Sequence, residues 1–87
     1  MDKKIIIDTM NAFVDEKLTV QEARVLIFIG LGYSNVTIMN GLCISNFALK
    51  THQHNLYHKI GVRSRQDAHQ LWNERCRQRE QTSPTRY

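Results

Sequence analysis

The chain has little of what marks the more specialised classes of protein. One proline and four glycines among 87 residues exclude a collagen-like, linker-rich or low-complexity chain. Two cysteines, Cys43 and Cys76, are too few for the disulfide framework of small secreted domains. Neither has a second cysteine or a histidine at the short spacing of a zinc pair. Both are expected to be reduced, buried or half-buried apolar side chains. The longest nearly uninterrupted apolar run, Val25 to Tyr33, is about half the ~18 residues of a membrane span. The run Ile5 to Ile7 ends at Asp8, short of the ~7 residues of a signal-peptide core. No bilayer crossing or secretion signal is expected, which places the chain in the cytoplasm. The length excludes a multidomain enzyme, since one hydrophobic core takes roughly 50 to 150 residues. Cys43 with a histidine is the one nucleophile and base pair to weigh, and so short a chain offers it no pocket. An enzyme is not expected.

What is present is a globular share of hydrophobic residues, 41%, with 23% charged. Lys and Arg number 12 against 8 Asp and Glu, a net charge of +4. The excess lies downstream: residues 1–17 carry three basic and four acidic side chains, 18–62 three against one, and 63–87 six against three. A balance of that sign favours an anionic partner without specifying one.

Helix signals dominate. Thr19 with Glu22 three positions later is a capping box, in which each side chain satisfies an orphan backbone N–H of the other. It predicts a helix whose Val25, Leu26, Phe28 and Ile29 face a core and which stops at Gly30 and Gly32, where positive φ costs little. Ser34 caps a second, short helix carrying Ile38, Met39 and Leu42, with Gly41 where the chain leaves it. Ser45 caps a third, with Phe47, Leu49, Leu56, Tyr57 and Ile60 as its apolar stripe, ending before Gly61. Ser64 with Asp67 opens a fourth, whose stripe is Ala68, Leu71, Trp72 and Cys76 and whose polar face holds Arg75, Arg77 and Arg79. Residues 1–17 form a leader in which Ile6, Met10, Phe13 and Val14 have helical spacing, although three consecutive isoleucines also suit a strand. Residues 81–87 read as a flexible tail. With no alternating strand pattern elsewhere, the expected class is all-α, with one domain over 18–80.

The short helix, the turn at Gly41 to Ile44 and the longer serine-capped helix outline a helix-turn-helix. Around that outline stand Leu18, Thr19, Gln21, Glu22, Val25 and Leu26. Then come Gly32, Tyr33, Ser34, Asn35 and Ile38, followed by Leu42, Cys43, Ile44 and Ser45. Last are Ala48, Leu49, Lys50, Thr51 and His52, with Lys59, Ile60, Gly61, Val62, Ser64, Arg65 and Ala68. In this series, which keeps its register without a gap, the chain resembles the LuxR/GerE-type helix-turn-helix, found also at the carboxyl end of NarL-like response regulators. Gln21 replaces the family's Arg, Met39 a small Ala, and Ala48 a Thr that contacts the DNA backbone. Met39 is expected to spread the helix pair or to fill space vacated by Gly30, where the family often has Ala.

The resemblance implies a sequence-specific, DNA-binding transcriptional regulator, a stand-alone domain acting on double-stranded DNA as a homodimer with its third core helix in the major groove. It assigns base contacts to Lys50, Thr51 and His54, and phosphate contacts to Asn35, Ser45, Lys59, Arg63 and Arg65. It places the two-fold seam on the fourth core helix, at Ala68, Leu71, Trp72 and Cys76. RNA polymerase or another LuxR-type regulator would be further partners. The rival reading is a degenerate helix-turn-helix that binds and titrates a full-length LuxR-type regulator. No cofactor is expected. Among His52, His54, His58 and His69 only the His54 and His58 pair shares a helix face, and nothing completes a metal-ligand set.

Overall fold

The computed structural model describes residues 2–81, and the side chains of residues 2–76. The helices are α1 (Lys3–Ala12), α2 (Val20–Gly30), α3 (Asn35–Leu42), α4 (Asn46–Ile60) and α5 (Arg65–Gln81), with a turn of 3-10 helix at Val14–Glu16. No strand occurs among the described residues, and the fold is all-α. The leader forms α1 and the 3-10 turn, so the triple isoleucine is helical. The expected tail lies outside the described residues, apart from the backbone of Gln81.

Each helix begins on a side-chain acceptor. The Thr19 hydroxyl accepts from Glu22 N at 3.1 Å while the Glu22 carboxylate accepts from Thr19 N at 2.9 Å, completing the capping box. Ser34, Ser45 and Ser64 accept from Thr37, Ala48 and Asp67 N at 3.2, 3.1 and 3.2 Å. Asp2 starts α1 by accepting from Lys4 N. Each such cap contributes about 1 kcal/mol.

The helix ends depart from the glycine rule. The short helix continues through Gly41 and leaves at Cys43, at φ 56 in the left-handed region, with Ile44 N–H closing back on Met39 O at 3.1 Å. Gly41 is needed for room instead, since a Cβ there would meet the edge of the Phe28 ring at 3.0 Å. Gly30 likewise stays inside α2, and only Gly32 beyond it takes positive φ.

The core is built around α2, whose Ala23, Val25, Leu26, Ile27 and Ile29 are fully buried. Burying each of the larger ones contributes about 1.5–3 kcal/mol. Ile6 and Phe13 come from the leader, Ile38 from α3, Leu49, Leu56 and Ile60 from α4, and Ala68 and Trp72 from α5. Phe47, assigned to the same stripe as Leu49, is 81% exposed and does not belong to the core.

Trp72 joins α1, α2 and α5. Its ring lies directly over the Cα of Gly30, where a Cβ would overlap Cε3 and Cδ2, and its Nε1–H donates to the buried Thr9 hydroxyl of α1 at 3.0 Å. Asn73 adds a hydrogen bond from Nδ2 to Gly30 O, closing an orphan carbonyl at the end of α2. The space left by Gly30 is therefore filled by Trp72, and Met39 packs half-buried elsewhere against the core. Arg75 departs from the solvated face expected of it. Its guanidinium lies 4.4 Å from the Phe13 ring centroid, donates to Ala12 O at 3.1 Å and forms a two-pronged pair with Glu16 at 3.1 and 2.9 Å.

These contacts correct two of the four residues assigned to a two-fold seam. Ala68 is fully buried and Trp72 is 7% exposed within a single chain, because α1 takes the hydrogen bond of the Trp72 indole. Leu71 and Cys76 remain half-buried at the surface.

Gly30→Ala tests the Trp72 seat. Helix propensity favours alanine by up to about 1 kcal/mol, but overpacking against a ring typically costs 1–3 kcal/mol. A net loss of about 1–2 kcal/mol is expected in urea unfolding, and Gly30→Ala should cost little further in a Trp72→Leu background, which is itself destabilised by the lost ring and Thr9 hydrogen bond.

Candidate nucleic-acid interface

The inward face of α4 is set by Leu49, Leu56 and Ile60, all buried. At about 100° per residue, the side chains opposite them are Phe47, Thr51, His54 and His58, with Lys50 at their flank, and all five are exposed. The three assigned base contacts, Lys50, Thr51 and His54, thus share one solvent-facing surface that runs from the second turn to the middle of α4. The Thr51 hydroxyl donates to Phe47 O at 3.1 Å, so its proton is committed within the helix and its methyl is left for a partner. Phe47, which apolar spacing had drawn into the core, stands on this surface as well. The signal that places it there is the angle: two positions from Leu49 is about 200° around a helix.

The assigned phosphate residues divide into three groups. Asn35 and Arg65 come together across α3 and α5: Arg65 Nη1 donates to Asn35 Oδ1 at 2.8 Å, and Gln53 Nε2 of α4 donates to the same oxygen at 3.1 Å. The arrangement ties the first turns of α3 and α5 to the middle of α4, and Gln53 is a member that sequence reasoning missed. Burial pushes the Tyr57 phenol up, opposed by the nearby Arg65 charge. Ser45 uses its oxygen as the α4 cap and keeps its O–H to donate. Arg63 is exposed.

Lys59 forms the third group, its ammonium engaged within the chain. Its ammonium lies 2.6 Å from Glu22 Oε1 and 3.3 Å from Lys17 O, with the lysine side chain 32% and the glutamate 6% exposed. A charge drawn onto a buried carboxylate holds α4 to α2. Among the described residues, Lys50 is then the lysine of α4 without an ion-pair partner.

The electrostatic setting suits an anion. From Ala23 to Gln66 the chain contains no Asp or Glu, while Arg24, Lys50, Lys59, Arg63 and Arg65 fall within it. The amino ends of α3 and α4, with their free N–H groups, lie in the same stretch. Among the described residues no group of three or more His, Cys, Asp or Glu is placed to hold a metal ion. No helix of the described residues is long and apolar enough to cross a membrane.

Residues 16–72 match the family of bacterial regulatory proteins called luxR, or GerE. The matched stretch opens at the end of the 3-10 turn and closes at Trp72, leaving α1 outside it. No solved structure matches the chain.

The two glutamates that organise the frame yield a pH prediction. For Glu22, burial raises the carboxyl pKa, but the Lys59 and Thr19 hydrogen bonds and the Lys59 charge outweigh it, and the net shift is below the ordinary value of 4.5. For Glu16 the Arg75 hydrogen bond leads, partly opposed by burial, and the shift is again downward. A carboxylate with a lower pKa folded than unfolded contributes stability that is complete above the unfolded value and is lost as pH falls through the folded one. Urea unfolding should therefore show stability declining as pH drops below about 4.5. The double variant Glu16→Gln, Glu22→Gln should be weaker at pH 7 and flatter towards acid. An equally steep acid decline in both proteins would contradict the assignment.

Proposed function

This chain belongs to the LuxR family of bacterial regulatory proteins, DNA-binding regulators of transcription built on a helix-turn-helix, and from that premise we propose that α4 enters the major groove of double-stranded DNA. There Lys50 donates to guanine, Thr51 offers its methyl, and His54 donates to or accepts from a base edge. Asn35, Ser45, Arg63 and Arg65 set the register on phosphates. The observation that carries the reading is the outward face of α4, where these side chains stand exposed together within a stretch free of carboxylates. A helix of this kind fits the major groove, with the residues of its first turns nearest the bases.

We take the operator to consist of two inverted half-sites, each read by one copy of the chain. With Ala68 and Trp72 internal, the seam falls to the half-buried Leu71 and Cys76 on α5. Contact with RNA polymerase would use surfaces away from α4.

A second reading is favoured by one observation. Because Glu22 holds Lys59, α4 offers the groove one lysine that is unpaired among the described residues. A thinly charged reading helix suits a module that pairs with a full-length LuxR-type regulator and titrates it.

Selection from random, unmethylated duplexes at about 0.1 M salt separates the two, since phosphate contacts make affinity fall with salt. The proposal expects a recurring inverted site. Lys50→Ala should then lose about 1–3 kcal/mol of binding to that site with its circular dichroism unchanged. Recovery of nothing above background, together with a stable complex formed with another LuxR-type regulator, would decide for titration.

A further inference from the structure

We infer that Phe47 reads sequence, its ring and the Thr51 methyl together receiving the C5-methyl of a thymine in the major groove. The inference rests on the proposed entry of α4 into the groove and names what the centre of its outward face recognises there.

Phe47 is 81% exposed, the most of the exposed large hydrophobic side chains among the described residues, and among those residues no ring contact engages it. It is the second residue of α4, at the end from which a reading helix reaches base edges. Thr51 is four residues on and therefore beside it on the same face. With the Thr51 proton given to Phe47 O, the adjoining group left for a partner is a methyl. The middle of the surface is thus apolar, flanked by Lys50 and His54.

The charge around that apolar centre identifies its occupant. No carboxylate occurs from Ala23 to Gln66, while Lys50, Arg63 and Arg65 do, so the surface suits a polyanion. Of the groups that the four base pairs expose in the major groove, the C5-methyl of thymine is the apolar one, and phenylalanine and the threonine methyl are side chains that meet it. Burying one methyl-sized group contributes about 0.8 kcal/mol, which corresponds to roughly fourfold in affinity at 1.4 kcal/mol per tenfold.

The test replaces each thymine of the selected site in turn by deoxyuridine, which lacks only that methyl. At one position per half-site the wild-type chain should bind roughly fourfold more weakly. Phe47→Ala should lose a similar factor on the thymine duplex and be indifferent to deoxyuridine at that position, while Phe47→Leu should keep part of the discrimination. Because the side chain is exposed, circular dichroism and urea unfolding of both variants should match the wild type. A selected site without thymine, equal wild-type binding to every deoxyuridine duplex, or full affinity of Phe47→Ala would overturn the inference. If Lys50→Ala still weakened binding in those cases, α4 would remain the reading helix. Failure to select any duplex would overturn both.

Discussion

The pose of α4 depends on one buried carboxylate. Glu22 closes the capping box at the start of α2 and, from the same position, holds the Lys59 ammonium in the last turn of α4 at 2.6 Å. Lys59 also donates to the Lys17 carbonyl, which lies in the left-handed turn just before α2. A charge this buried is tolerated when it is paired and hydrogen-bonded, and here the pairing fixes the carboxyl end of one helix against the amino end of another. The other part of α4 is held through Gln53, whose amide shares the Asn35 oxygen with Arg65. Along the inward face of the same helix, Leu49, Leu56 and Ile60 fill the core. What α4 shows to solvent follows from that constraint.

A second constraint governs the opposite side of the molecule. Trp72 requires the bare Cα of Gly30 beneath its ring and a partner for its indole N–H, and the leader provides that partner in Thr9. Phe13 and Glu16 then engage Arg75 one helical turn further along α5. Because α1 lies outside the family match, the Trp72–Thr9 hydrogen bond joins a segment beyond that match to the matched framework. Ala68 and Trp72 are left buried within a single chain.

The caps were legible in the sequence because they are local: a serine or threonine meets its backbone partner three residues away. The helix order and the all-α class follow from those caps and the apolar spacing between them. What escaped were relations across the chain. Lys59 looks like a surface cation until Glu22, 37 positions earlier, is seen to face it. Arg75 looks solvated until Glu16, 59 positions away, folds against it. Gly30 and Gly41 looked like exits because glycine often is one, but they are places where a Trp72 or Phe28 ring comes close. Phe47 differs for another reason: its hydrophobicity suggests the core, but it lies two residues from Leu49, and residues two apart on a helix point to nearly opposite sides.

The commitment of Lys59 changes how this helix can bind. A groove-reading helix that keeps both lysines for DNA draws more of its affinity from counterion release, which every sequence supplies alike. Here one of the two is bound to Glu22, and in the proposed complex the phosphate role would pass to Arg63, Arg65, Asn35 and Ser45. The centre of the face is left with an aromatic ring, a methyl, an imidazole and a single ammonium. Such a surface gains little from the uniform charge of the duplex and more from the particular groups the bases display. Discrimination between sequences then becomes a larger share of a smaller total affinity.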